Sequence, residues 1–172
     1  GGRCEALEDV RGVLGARALS SAPVAPETLL EINTPPTGDP SVAISPDGLK
    51  VVFVGRAEGR SQLWLRSLNS LVAKPLTGTE RASRPFWSPD SQWIGFYTGQ
   101  GTLKRVPVSG GTVQTIAIGI TDFRGAAWGP DNTLLIGTGY GGLYRVSAAG
   151  GTLQPVTELD SSKQEGSHRF PQ

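Results

Sequence analysis

The chain has 172 residues, with 16 lysines and arginines against 15 aspartates and glutamates and a formal net charge of +1, which implies neither a nucleic-acid-binding nor a membrane-surface field. Its 24 glycines and 13 prolines punctuate a composition that is 37% hydrophobic, enough for a core cut by many turns, and no apolar run reaches the roughly 20 residues of a membrane-spanning helix. The single cysteine, Cys4, has no partner for an intramolecular disulfide and belongs to no zinc-type spacing.

In chain order, "RCEALEDVRGVL" places Cys4, Leu7, Val10 and Leu14 at helical spacing, with Glu5, Glu8 and Asp9 in the early turns, and predicts a short amphipathic helix. The following "ARALSSAPVAPE" is small, polar and proline-rich, which makes residues 1–27 a helix and linker. Charges run through this opening and it has no apolar h-region, so no signal peptide is expected and cytoplasm is the default compartment. Residues 28–35, "TLLEINTP", read as an outer strand without the rest of its own sheet.

From there the sequence repeats. Ser45-Pro46-Asp47, Ser88-Pro89-Asp90 and Gly129-Pro130-Asp131 fall 43 and then 41 positions apart, and Leu63, Leu103 and Leu143 recur every 40 residues, each followed 13 places later by Leu76, Ile116 or Val156. Two markers in one register establish a true period. Within each unit, alternating or β-branched runs such as "VVFV", "LWLRSL" and "LYRV" are bounded by turn chemistry. The Pro-Asp-Gly, Pro-Asp-Ser and Pro-Asp-Asn triplets suit tight turns, and Gly110-Gly111 and Gly150-Gly151 supply a second hairpin. Four antiparallel strands per period of about 40 residues predict the blade of a β-propeller, here about residues 40–80, 81–121 and 122–164, with an inner strand at 165–172. Trp64, Trp87, Trp93 and Trp128 are expected in core or inter-blade packing.

The stretches "AISPDGLKVVFV", "RPFWSPDSQWIGFY", "LKRVPVSGG" and "GSHRFPQ" resemble the TolB-like (WD-type) β-propeller repeats, in the form found at the C-terminus of some bacterial serine/threonine protein kinases, over residues 28–172. The resemblance implies that "SHRFPQ" opens a further blade, so that the chain is a truncated fragment of about three blades. Closed propellers take four to eight. The expected remedy is homo-oligomerisation: a dimer giving six blades, with a trimer as the alternative.

Several motifs carry no chemistry. "GTGYGG" at 137–142 satisfies G-x-G-x-x-G but joins two strands with no helix after it. The kinase catalytic loop, Asp-Phe-Gly and strand lysine motifs are absent from the sequence. No serine lies in a Gly-x-Ser-x-Gly elbow, and any triad would have to use His168, the only histidine, so a serine hydrolase is not expected.

The remaining constellation lies in the segments that enter each inner strand. It comprises Asp39, Glu80, Arg81, Arg84, Asp122, Arg124, Glu165, His168 and Arg169, and with the family's register for the last copy Asp39 and His168 are equivalent. Asp39, Glu80, Asp122, Glu165 and His168 are candidate ligands for a divalent cation, calcium by oxygen chemistry or zinc by imidazole. Arg84, Arg124 and Arg169 are candidates for an anion. Two functional readings follow. One is a non-catalytic binding scaffold that takes a protein or small-molecule ligand in its channel. The other is a metal-dependent hydrolase of phosphoesterase or phosphotriesterase type, with His168 and Asp122 as catalytic candidates in the oligomer's channel. A purely structural fragment is the third possibility.

Overall fold

The computed structural model describes residues 41–57 and 59–171; the expected N-terminal helix, the linker, the strand at 28–35, Cys4 and Asp39 lie outside them. The described residues form three four-stranded antiparallel sheets, each in chain order from its inner to its outer strand. The first holds β1 (Val42–Ile44), β2 (Lys50–Ala57), β3 (Arg60–Ser67) and β4 (Lys74–Pro75). The second holds β5 (Ala82–Trp87), β6 (Trp93–Thr98), β7 (Thr102–Pro107) and β8 (Gln114–Ala117). The third holds β9 (Phe123–Trp128), β10 (Thr133–Thr138), β11 (Tyr144–Ser147) and β12 (Gln154–Pro155). Neighbouring sheets meet face to face, with β5 against β1, β2 and β3, β9 against β5, and β11 against β8.

The turn triplets explain the first hairpin of each blade. Gly48, Ser91 and Asn132 take up left-handed backbone at φ 69°, 58° and 59°. Glycine and asparagine tolerate this readily. Ser91 offsets the strain by accepting a hydrogen bond on its hydroxyl from the backbone N–H of Asp47, 3.1 Å away in the preceding blade. The aspartates close the turns locally: Asp47 accepts from the Ser45 hydroxyl and the Leu49 N–H, Asp90 from the Ser88 hydroxyl and the Gln92 N–H, and Asp131 from the Thr133 N–H.

These bonds hold all three carboxyls below the ordinary aspartate value of 3.8, through the serine hydroxyl first for Asp47 and Asp90 and the Thr133 backbone N–H first for Asp131. Because the folded-state value is the lower one, their contribution is fully present above the unfolded value and is lost as pH falls through the folded one. Urea midpoints are therefore expected to drop between about pH 5 and about pH 2. Asp90→Asn should flatten part of that slope, and an unchanged slope would show that these turns do not govern acid sensitivity.

Two cores lie between the blades. Val52, Val54 and Leu63 of the first blade meet Trp87, Ile94, Phe96 and Val106 of the second. Leu103 and Ile116 of the second meet Phe123, Trp128, Leu134, Ile136 and Val146 of the third. The Trp87 indole donates to the Ala43 carbonyl at 3.0 Å, a bond between blades, and Tyr97 stacks on Phe123 with ring centroids 4.9 Å apart. Trp87 and Trp128 are thus inter-blade residues, and Trp93, which lies under the Arg105 guanidinium 4.3 Å from its ring centroid, packs against the core between the second and third blades.

Beyond β12, Asp160 caps a short 3-10 turn at Ser161–Lys163, which ends at Gln164 in left-handed conformation. The segment expected as an inner strand at 165–172 makes one parallel bridge among its described residues, Gly141 with Ser167, and no ladder. It lies where such a strand would start: Arg169, Phe170 and Pro171 sit against Gly137, and Phe170 against Gly125.

Candidate functional site

Two side-chain groups stand out, and local irregularities build both. The first lies along the inner strands. In the β5–β6 ladder Ser83 pairs with Tyr97 and Phe86 with Gly95, so Arg84 and Pro85 together oppose the single residue Phe96. In the β9–β10 ladder Gly125 pairs with Gly137 and Phe123 with Thr138, which leaves Arg124 as an extra residue. Bulges of this kind turn a side chain out of its regular alternation. Here they aim an arginine from each of two blades at a cavity of about 340 Å³, shared with Val42, Phe86, Ala126 and Phe170.

Arg84, at φ 48°, donates to the Phe123 carbonyl in the next blade. Arg124 is tied to Asp122 at 2.9 Å, with both side chains about a third exposed. The Arg124 Nε is buried and has no hydrogen-bond partner among the described residues. Arg169 belongs elsewhere, donating to the Ser167 hydroxyl and to the Gly139 carbonyl at 3.3 Å.

The second group gathers around His168. Its Nε2 is 3.2 Å from Glu165 Oε2, and its Nδ1 is 2.7 Å from the Thr157 hydroxyl. Glu165 is held in place by the Asp160 N–H at 2.8 Å, a bond the 3-10 turn makes possible by folding the chain back on itself. That N–H first, and His168 second, hold the Glu165 carboxyl below its ordinary value. An ionised carboxylate only accepts, so in the neutral ring the proton is on Nε2 and Nδ1 is the acceptor. The Thr157 hydroxyl, which already accepts the Leu143 N–H at 2.8 Å, therefore points its own proton at His168.

The first blade shows the alternative. Thr79 likewise accepts the N–H of its marker leucine, Leu63, at 3.0 Å, but donates to the Leu76 carbonyl at 2.6 Å. The two threonines lie 16 and 14 residues after their leucines, so different repeat positions cap the same N–H and spend the hydroxyl proton differently.

Of the expected cation ligands, Glu80 is exposed, Asp122 is engaged by Arg124, and Glu165 and His168 pair with each other. Among the described residues no three histidine, cysteine, aspartate or glutamate side chains converge as a metal site. The set therefore divides into an arginine-lined groove and a separate hydroxyl–imidazole–carboxylate chain. Thr157 is the member that sequence reasoning missed. The only signal for it was a lone histidine needing partners, and the backbone that joins the two is set by the fold of 158–167.

No protein-family model matches the chain, and no curated protein matches it. Solved structures do. The TolB structure from Agrobacterium tumefaciens superposes with a TM-score of 0.59 at 21% identity, covering 72% of this chain and 51% of that one. The apo AtxE2 isopeptidase superposes with a TM-score of 0.54 at 15% identity, covering 73% of this chain and 21% of that one. The chain thus spans about half the length of the first and about a fifth of the second. At these identities the likeness is one of fold, and the fold of the described residues is a β-propeller in three blades.

Proposed function

We propose that the chain is a β-propeller binding scaffold that associates with a second copy through the outward face of its first blade, making a ring of six blades around a shared channel. The observation that carries this reading is on β1. Val42 and Ile44 are 54% and 61% exposed, whereas Ala43 between them packs into the core shared with the second blade. An inner strand that alternates this way presents Val42 and Ile44 on the side away from its neighbouring blade. Their ladder partners there, Phe53 and Val51, are already buried, so what stands open to a second copy is the inner-strand rim of that face. Ring closure supplies a sheet to cover that rim, and the Arg84 and Arg124 groove would then face the channel, open to an anionic group on a ligand.

Static light scattering on the full chain at micromolar concentration tests the association. Twice the 18.0 kDa chain mass is expected, with Val42→Asp/Ile44→Asp returning to the single-chain mass while keeping its β-sheet circular dichroism. A well-folded single chain at the same concentration would overturn the reading.

A further inference from the structure

The chain linking Thr157, His168 and Glu165 is more than a strand cap. In the first blade the hydroxyl that accepts the marker leucine's N–H, Thr79, spends its proton on a backbone carbonyl, which has no use for it beyond the bond. In the third it is directed at an imidazole nitrogen at 2.7 Å, whose other nitrogen is oriented by a carboxylate at 3.2 Å that is itself anchored on a backbone N–H. A hydroxyl within reach of a base, and a base oriented by a third group, is the arrangement that activates a hydroxyl as a nucleophile. It stands open to water: the His168 and Glu165 side chains are 30% and 33% exposed, and Thr157 is half-buried. With one hydroxyl lone pair occupied by the Leu143 N–H, the other is free to attack.

We propose that Thr157 is a nucleophile toward small activated carboxylic esters, with His168 as its general base and Glu165 as a positioning residue. Thr157 Oγ1 forms a bond to the acyl carbon as its proton passes to His168 Nδ1. The carbon–oxygen bond to the leaving group then breaks, and the departing alkoxide takes that proton. Water, deprotonated by the same Nδ1, attacks the acyl-threonine, releases the carboxylic acid and restores the hydroxyl. The sum is ester plus water to acid plus alcohol, with no other reactant.

The test uses the full chain, p-nitrophenyl acetate as probe, and EDTA throughout. The expected result is a burst of p-nitrophenolate approaching one equivalent per chain, with the acetyl group located on Thr157 by peptide mass spectrometry. His168→Ala, which leaves the Thr157–Leu143 bond intact, should slow acetylation by about 10²-fold or more. Glu165→Gln should slow it and Glu165→Asp restore it in part. Thr157→Val should abolish the burst; because it also removes the acceptor for the Leu143 N–H, Thr157→Ser serves as the folded variant that keeps a hydroxyl and should keep the burst. Acetyl found on the exposed Tyr140 or on lysines and not on Thr157, or Thr157 acetylated at an unchanged rate in His168→Ala, would overturn the proposal.

Discussion

Phe96→Ala should lower the unfolding free energy by about 3–5 kcal/mol, the range for removing a large aromatic ring from a closed core. Phe96 has no exposed surface and sits among Val52, Val54 and Leu63 of the first blade and Ile94 and Val106 of its own. Small domains hold only about 5–15 kcal/mol in total, so the loss is a large share of what keeps the chain folded. It should also be local. Blades stacked in series contribute separate interface terms, and the core between the second and third blades shares no buried residue with the one that contains Phe96. Hydrogen exchange should therefore show β1–β3 losing protection well before β9–β11. Equal loss across all three sheets would mean that the blades unfold as one unit.

Gly142→Ala is the second large effect and has a different origin. A Cβ at this position would lie 1.8 Å from the Thr157 carbonyl oxygen, 2.7 Å from its carbon and 2.8 Å from its hydroxyl. These are mostly backbone atoms that cannot rotate away. The chain would have to separate where the Leu143 carbonyl receives the Val156 N–H at 2.8 Å and the Leu143 N–H meets Thr157. A cost of about 3 kcal/mol is expected, at the upper end for overpacking. Since Thr157 is displaced with it, acetylation of that hydroxyl should fall alongside stability. Gly99, where a Cβ would meet nothing within 4 Å, provides the control: Gly99→Ala should change stability by less than about 0.5 kcal/mol. Equal thermal midpoints for the two variants would contradict the steric account.

The fold was legible because its signals are local. Each Pro-Asp triplet forces a turn within a few residues, and the marker leucines fall in or beside the third strand of each sheet, at Leu63 in β3, Leu103 in β7 and Leu143 just before β11. Ser91 could be read as a turn residue, but its reason for accepting left-handed backbone was not legible, since it depends on an N–H 44 residues earlier in another blade. The candidate site was legible by residue type and not by arrangement. Arg84 and Arg124 were picked out as charges entering inner strands. That each is left over at a break in register is a property of paired strands, which no single run of sequence displays. Glu165 and His168 were picked out with Asp39, Glu80 and Asp122 as cation ligands in an oligomer's channel. What the sequence did not display is that the 3-10 turn after Asp160 sets Glu165 against His168 and His168 against Thr157, a residue without any distinguishing neighbour pattern.

The outermost strands have a consequence for how such a chain survives in crowded solution. β4 and β12 are two residues long and β8 is four. A fibril grows when a long free rim of amide and carbonyl groups templates the next chain, rung upon rung. These rims give a newcomer one or two rungs before the ladder runs out, too few to hold it. Runaway polymerisation is thus starved at the periphery of the described sheets.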